Sequence, residues 1–117
     1  KRTAREKESL WADAKADTVQ ALLPVYDNLE RALKQDTADE AYKKGVEMIM
    51  TQLKEVFAKL GVTEIEAQGK PFDPNLHNAV MHIEDENLEE NTVAQVFQAG
   101  FMLGEKVIRF AMVQVAN

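Results

Sequence analysis

Between Arg2 and Lys34 the chain has no glycine and a single proline, and most positions hold Ala, Lys, Glu, Leu, Arg or Gln. Such residues lose little on entering a helix, so this stretch is predicted to form one long helix. Val19, Leu22, Tyr26, Leu29 and Leu33 recur at alternating gaps of three and four. They fall on one a/d stripe of the kind that pairs helices. Upstream the same register passes through Lys15, Ala12 and Glu8, leaving Trp11, Ala4 and Ala14 as the apolar contacts. That end is expected to pair weakly and to melt early. Pro24 lacks an N–H and costs about 3 kcal/mol inside a helix, so it is expected either to kink the rod or to mark where a coiled coil widens into a bundle. Because the pattern is already helical at Lys1, a segment upstream of it is expected.

A polar connection follows over residues 34–39, and Thr37 stands three positions before Glu40, the spacing of a capping box. A second helix is predicted from there. Tyr42, Val46, Ile49, Leu53, Val56 and Leu60 step by four and three, with Met50 and Phe57 in a second row. So broad a stripe suits a bundle better than a two-helix seam. Gly61 then offers a left-handed stop.

Beyond Gly61 the period changes from 3.6 to 2. The segments 80–84, 92–98 and 106–115 alternate, or run in β-branched and aromatic residues, with turn residues between them. This half is predicted to be all β. Gly104-Glu105 suits a two-residue hairpin turn between residues 101–103 and 106–108. Pro71 and Pro74 make residues 68–75 an ordered loop, with one short turn at most. The fold class is therefore α+β, with a helical part over residues 1–61 and a β part over 62–117.

Charge divides along the same line. Residues 1–61 hold 11 basic and 11 acidic side chains, whereas residues 62–117 hold 3 and 9, which accounts for the whole net charge of −6. The second part would repel nucleic acid. Lys1, Arg2, Arg5 and Lys7 alternate with Glu6 and Glu8, a solvated helix face with local ion pairs rather than a nucleic-acid footprint. With no cysteine among the 117 residues, disulfides, thiolate catalysis and sulfur-ligated metals are excluded. No run approaches the roughly 20 apolar residues of a membrane span, and residues 1–9 are charged where a signal peptide would be apolar, so a soluble protein without membrane association is expected.

Candidate chemistry is sparse. His77 and His82 are the only histidines. His82 falls in an alternating strand and reads as a surface or hydrogen-bonded imidazole before a metal ligand. Glu84, Asp85, Glu86, Glu89 and Glu90 form an acidic run that is expected in a hairpin loop, ionised and solvated. A small hydrolase using that run is the weakest of three readings. No phosphate-cradling glycine loop, serine elbow or nucleotide-binding lysine motif is present. No cofactor, metal site or catalytic residue is assigned. What remains is a helix-pairing stalk with a β module that holds a partner, Phe72 and Phe97 being either its exposed anchors or core residues.

Residues 22–33, LLPVYDNLERAL, resemble the long-helix signature of the GrpE family of co-chaperones. Gly45-Val46-Glu47, with the apolar heptads that follow it, is similar to that family's short helix, residues 71–77 to the loop opening its β domain, and residues 100–103, 107–109 and 111–115 to its closing hairpin. The match covers most of the chain from about Leu22 and is specific as a set. Phe110 stands where the family usually has proline, Lys106 where arginine is common, and Asn91 where glycine is frequent. A point charge at Lys106 would make a weaker contact than a bidentate donor.

The resemblance implies a parallel homodimer through the long helices, a four-helix bundle completed by the two short ones, and two β domains held out to one DnaK-type chaperone. It implies no enzyme. The implied activity is adenyl-nucleotide exchange, in which contact with the chaperone's nucleotide-binding domain opens its cleft and speeds ADP release, with melting of the long helix as a thermosensor. Chaperone contacts carried over by position are Arg31, Gly45, Phe72, Phe97, Lys106 and Val115. Gly45 is either a site of close helix approach or room for the partner's backbone. Dimerisation falls to Val19, Leu22, Tyr26, Leu29 and Leu33 with Val46, Ile49, Leu53 and Val56. A bacterial cytoplasmic location is implied ahead of a mitochondrial matrix one. A passive coiled-coil adaptor with the same architecture is the rival from another class.

Overall fold

The computed structural model describes residues 2–117, and the chain divides into two compact units, Lys1–Val62 and Thr63–Asn117. Of the basic cluster at the start, Lys1 lies outside the described residues, while Arg2 pairs with Glu6 one turn on, at 3.5 Å.

In the first unit, α1 (Arg2–Leu33) stays helical through Pro24, and α2 (Glu40–Lys59) packs on it. At 1.5 Å per residue α1 is about 48 Å long and α2 about 30 Å, so α2 covers only part of α1. Residues 2–11 are accordingly all exposed. The row of α1 that is buried is Ala16, Val19, Leu23 and Tyr26, and α2 buries Met50 and Phe57. The Tyr26 and Phe57 rings stack with centroids 6.4 Å apart. The predicted stripe thus divides: Val19 and Tyr26 are buried within the single chain, Leu29 and Leu33 are half-buried, and Leu22 is 43% exposed with Leu23 buried in its place. Both leucines fit a spacing of three or four from their neighbours; Leu23 is the one that shares the buried face of Ala16, Val19 and Tyr26.

The start of α2 differs from expectation. Asp39, not Thr37, is the N-cap, its carboxylate accepting the Tyr42 N–H at 3.0 Å. Thr37 instead accepts the N–H of Asp39 through its hydroxyl at 3.1 Å. Both residues are competent caps, and Asp39 lies next to the first helical residue. At the other end Gly61 takes φ +83°, and its N–H and that of Leu60 satisfy the last carbonyls.

The second part contains β1 (Val62–Glu64), β2 (His77–Ile83), β3 (Thr92–Gln98), β4 (Phe101–Leu103), β5 (Lys106–Arg109) and β6 (Ala111–Ala116). They make two three-stranded sheets, ordered β1-β4-β5 and β2-β6-β3. β6 is central in the second, parallel to β2 and antiparallel to β3. Its Ala111, Val113 and Val115 are buried with Ala67 and Val93, and Phe72 and Val96 pack against them.

Two expectations are corrected here. The acidic run does not close a hairpin: it carries the chain from β2 to β3 across β6, which separates them. β6 takes the centre because it is the strand with residues to bury along nearly its whole length. The stretch 106–115 is not one strand either. It breaks at Phe110, which lies outside both strands and is exposed, and the chain passes from one sheet to the other. Gly100 makes this corner possible. A Cβ there would collide with the Ala111 backbone N and lie 2.8 Å from the Arg109 carbonyl oxygen. The Arg109 guanidinium braces the same corner, donating from Nε and Nη2 to the Ala99 carbonyl at 3.0 and 2.6 Å. The expected two-residue turn at Gly104-Glu105 joins β4 to β5, with Leu103 opposite Lys106 and Gly104 at φ +59°.

Candidate functional site

Two grooves, one in each unit, hold three of the six candidate partner contacts, Gly45 in one and Phe72 with Val115 in the other. In the helical unit, Gly45 is exposed, and a Cβ added to it would meet nothing within 4 Å. No close helix approach within the chain requires this glycine. It opens instead onto a groove of about 860 Å³ along α2, lined by Lys44, Glu47, Met48, Ile49, Thr51, Gln52 and Glu55 as well. A glycine in an exposed helix interior costs about 1 kcal/mol relative to alanine, so its presence there fits a backbone left bare for another molecule. Ile49 and Val56 are exposed, and Val46 and Leu53 half-buried. Arg31 is exposed in the last turn of α1, where a cation complements the helix dipole.

In the β unit a groove of about 450 Å³ brings Phe72 and Val115 together with Ala79, Val80, Met81, His82 and Asn91. Phe72 is half-buried: one face packs on the β6 core while the ring also lines the groove. It is therefore core and surface at once. Phe97 lies elsewhere, 40% exposed on β3, and Lys106 is exposed at the start of β5 in the other sheet. The site residues of this unit thus form one pair and two separate positions. Val80 and Met81 were readable as strand residues, but only the topology identifies their faces as groove lining.

The loop that carries Phe72 is fastened from both sides. The Phe72 N–H donates to the Asn91 carbonyl at 2.8 Å, and the Lys70 carbonyl accepts from Val93 at 2.9 Å. Asn91 sits at φ +59°, which explains why glycine is an alternative at this position: the left-handed region is open to Asn and Gly and strained for most other residues. On the far side of the loop, His77 accepts the Asp73 N–H on Nδ1 at 3.0 Å and returns its own backbone N–H to the Asp73 carbonyl at 2.8 Å. Its ring lies 5.8 Å from that of Phe72. Since Nδ1 accepts, Nε2 carries the proton, and that atom is buried without a hydrogen-bond partner among the described residues. Burial lowers the His77 pKa below 6.5, partly opposed by the Asp73 carboxylate. His77 is a structural pin that sequence reasoning did not separate from His82, which is exposed.

Among the described residues no three of His, Cys, Asp and Glu converge as a metal set, and no helix is long and apolar enough to cross a membrane. The chemistry these surfaces offer is contact: bare backbone with Met48 and Ile49 among charged and polar side chains in one, aromatic and aliphatic groups beside a sheet edge in the other.

A family model described as GrpE matches residues 1–117. Among similar proteins, protein GrpE of Clostridium beijerinckii is 56% identical over 117 residues, all of this chain and 56% of that relative. Protein GrpE of Clostridium acetobutylicum is 54% identical over 116 residues, 99% of this chain and 58% of the relative. Protein GrpE of Geobacillus stearothermophilus is 47% identical over 120 residues, covering 100% and 54%. The chain thus spans rather more than half the length of the curated relatives it matches.

Proposed function

The chain belongs to the GrpE family, and from that membership we infer that it is a nucleotide-exchange co-chaperone that binds a DnaK-type chaperone and speeds release of its ADP. The observation that carries this reading is the family match over the whole chain, helices and β strands alike. Mechanistically it requires no catalytic group. A protein that contacts only the open form of the chaperone's nucleotide-binding domain stabilises that form by its differential affinity, and ADP held by the closed form leaves faster. Linkage makes the effect reciprocal, so ATP binding to the chaperone weakens its hold on this protein. In this reading Arg31 and Gly45 contact the chaperone from the helical unit, and Phe72, Phe97, Lys106 and Val115 from the β unit. A bacterial cytoplasmic location accompanies the role.

The same reading makes the working form a parallel homodimer. Exposed Leu22 on α1 and Ile49 and Val56 on α2, with half-buried Leu29, Leu33, Val46 and Leu53, supply apolar surface for a four-helix bundle. Val19 and Tyr26 are buried in one chain, Tyr26 against Phe57 of α2, and support the pairing from beneath that surface. The upstream part of α1 has only Leu10 and Trp11 as large apolar groups, both exposed. Its weak pairing suits early melting on heating, a thermosensor that would lower exchange activity. A separate early loss of helix by circular dichroism is expected, and a single transition would remove the thermosensor from the reading.

The deciding experiment is stopped-flow release of a fluorescent ADP analogue from a DnaK-type chaperone, with and without this protein. A large acceleration that Gly45→Asp abolishes is expected. Because Gly45 faces open space, the variant should keep its helix content and size by sedimentation, which ties a loss of activity to the partner surface. No acceleration with any DnaK-type chaperone would leave a dimeric adaptor as the better account.

A further inference from the structure

The sheet β2-β6-β3 has two edges, and the chain treats them differently. Along β3 the segment 69–72 runs as a cover: the Gly69 N–H donates to the Val93 carbonyl, the Val93 N–H to the Lys70 carbonyl, and Pro71 bridges to Thr92. Among the described residues β2 is paired on its inner side alone, with β6, and the five residues 78–82 are all exposed. β2 holds neither lysine nor proline, the residues that most often blunt an edge. The register irregularity between Ala79 and Met81 shortens the flat part of the edge. It limits any added strand to a short one and disfavours edge-to-edge pairing of two copies.

Beside this edge lie exposed Val80 and Met81 and the groove they share with Phe72, His82, Asn91 and Val115. Directly after β2 come five carboxylates in the seven residues 84–90. They sit on an ordered loop: the Asn117 side-chain amide donates to the Asp85 and Leu88 carbonyls, both at 2.8 Å, and its oxygen accepts the Asp85 N–H at 3.0 Å. No lysine or arginine occurs between Lys70 and Lys106. The edge, its groove and the loop after it therefore present apolar surface, unpaired backbone and one sign of charge.

We propose that the outer edge of β2 takes up a short extended peptide as an added strand, with alternate apolar side chains in the groove and a basic end against residues 84–90. Backbone pairing supplies the affinity, the groove selects apolar groups at every second position, and the acidic loop selects a cationic flank. An acidic or neutral flank gains nothing from that loop. Phe72 and Val115 are shared with the chaperone surface proposed above, so the peptide site is tested without any chaperone, and exchange activity is measured separately.

The probes are two fluorescein-labelled decapeptides of alternating valine and threonine, one with an arginine pair at its N-terminus and one at its C-terminus. Fluorescence anisotropy with the full chain should show binding of at least one, and the end that works gives the strand direction. Blocking alternate amides of that peptide by N-methylation should weaken binding by at least about tenfold, since each blocked N–H removes a ladder bond. The combined Glu86→Gln, Glu89→Gln, Glu90→Gln variant should bind more weakly and lose most of the salt dependence. Val80→Lys, at an exposed position, should abolish binding of the basic peptide while the amide spectrum of β3 and β6 stays unchanged. Equal binding of the N-methylated peptide would overturn strand addition, and absence of binding by both decapeptides to a folded chain would overturn the site. Either failure leaves ADP release by the unmodified chain intact if the exchange reading holds.

Discussion

Among the described residues, the helical unit leaves eight large apolar side chains exposed, namely Leu10, Trp11, Leu22, Val25, Tyr42, Met48, Ile49 and Val56, whereas the β unit leaves four, Val80, Met81, Phe97 and Phe110. The buried sets run the other way, with Ala16, Val19, Leu23, Tyr26, Met50 and Phe57 in the helices against ten apolar residues from Ile65 to Ala116 in the β unit. The difference follows from geometry. Two helices joined by a short connection can bury only the stripe that each turns to the other, so the apolar side chains on the remaining faces stay exposed. In the β unit the central strand β6 is covered by its neighbouring strand β3 and by the loop residues Ala67 and Phe72. The helical unit therefore carries more uncovered apolar surface, and the β unit covers most of its own while presenting an edge.

That contrast is most sharply broken by Gly100→Ala. A methyl group there strikes backbone rather than a flexible side chain, so about 4 kcal/mol should be lost from the β unit alone. Amide exchange at Val93 and Val113 would accelerate while helical circular dichroism stayed near its original value. A uniform loss across both units would show that they do not fold separately. Phe57→Ala tests the other side. Removing the ring that stacks on Tyr26 should cost about 3 kcal/mol, read as earlier urea unfolding of the helices with β-unit exchange unaltered.

Acid distinguishes the units as well. The folded state holds His77 neutral with a pKa below 6.5, so it binds fewer protons than the unfolded chain near that pH. Stability of the β unit should be flat above pH 6.5 and should fall as pH drops below it, until the folded ring itself protonates. Urea titrations of the unit at stepped pH should show that slope, and His77→Gln should remove it. The smallest effect is expected at Gly45→Ala, which adds helix propensity in open space and should stabilise the helical unit by about 0.5–1 kcal/mol, with no change in β-unit exchange. A loss of stability instead would mean that the bare backbone at Gly45 is already in use.

What sequence reading delivered depended on how local the determinant was. The helices, the stop at Gly61 and the turn at Gly104-Glu105 are written in residues within one turn of where they act. Choosing Asp39 over Thr37, or Leu23 over Leu22, requires knowing which neighbour the element meets, because each pair satisfies the same local rule. The parallel alignment of β2 with β6 leaves no mark in either strand, so the acidic run looked like a hairpin. Of the β-unit site residues, Phe72 and Val115 converge, yet their groove depends on Val80 and Met81, whose exposure reflects an edge position. His77 and His82 are chemically alike and four residues from Asp73 decides the difference: one ring accepts the Asp73 N–H and the other meets water.

The central place of β6 also has a consequence in time. β2 and β3 precede it in sequence and are not paired with each other, so during synthesis both strands exist before the one that joins them. The helices are complete once Gly61 has left the ribosome, so their contacts, including the Tyr26–Phe57 stack, can form before any residue of β6 exists. The β sheet must wait for residues 111–116, with the His77–Ala111 pairing closing a span of more than thirty residues. Such non-local closure is slow and leaves apolar strands uncovered meanwhile. A nascent chain of this protein therefore passes through an interval in which β2 and β3 are complete and the strand that joins them is still to be made.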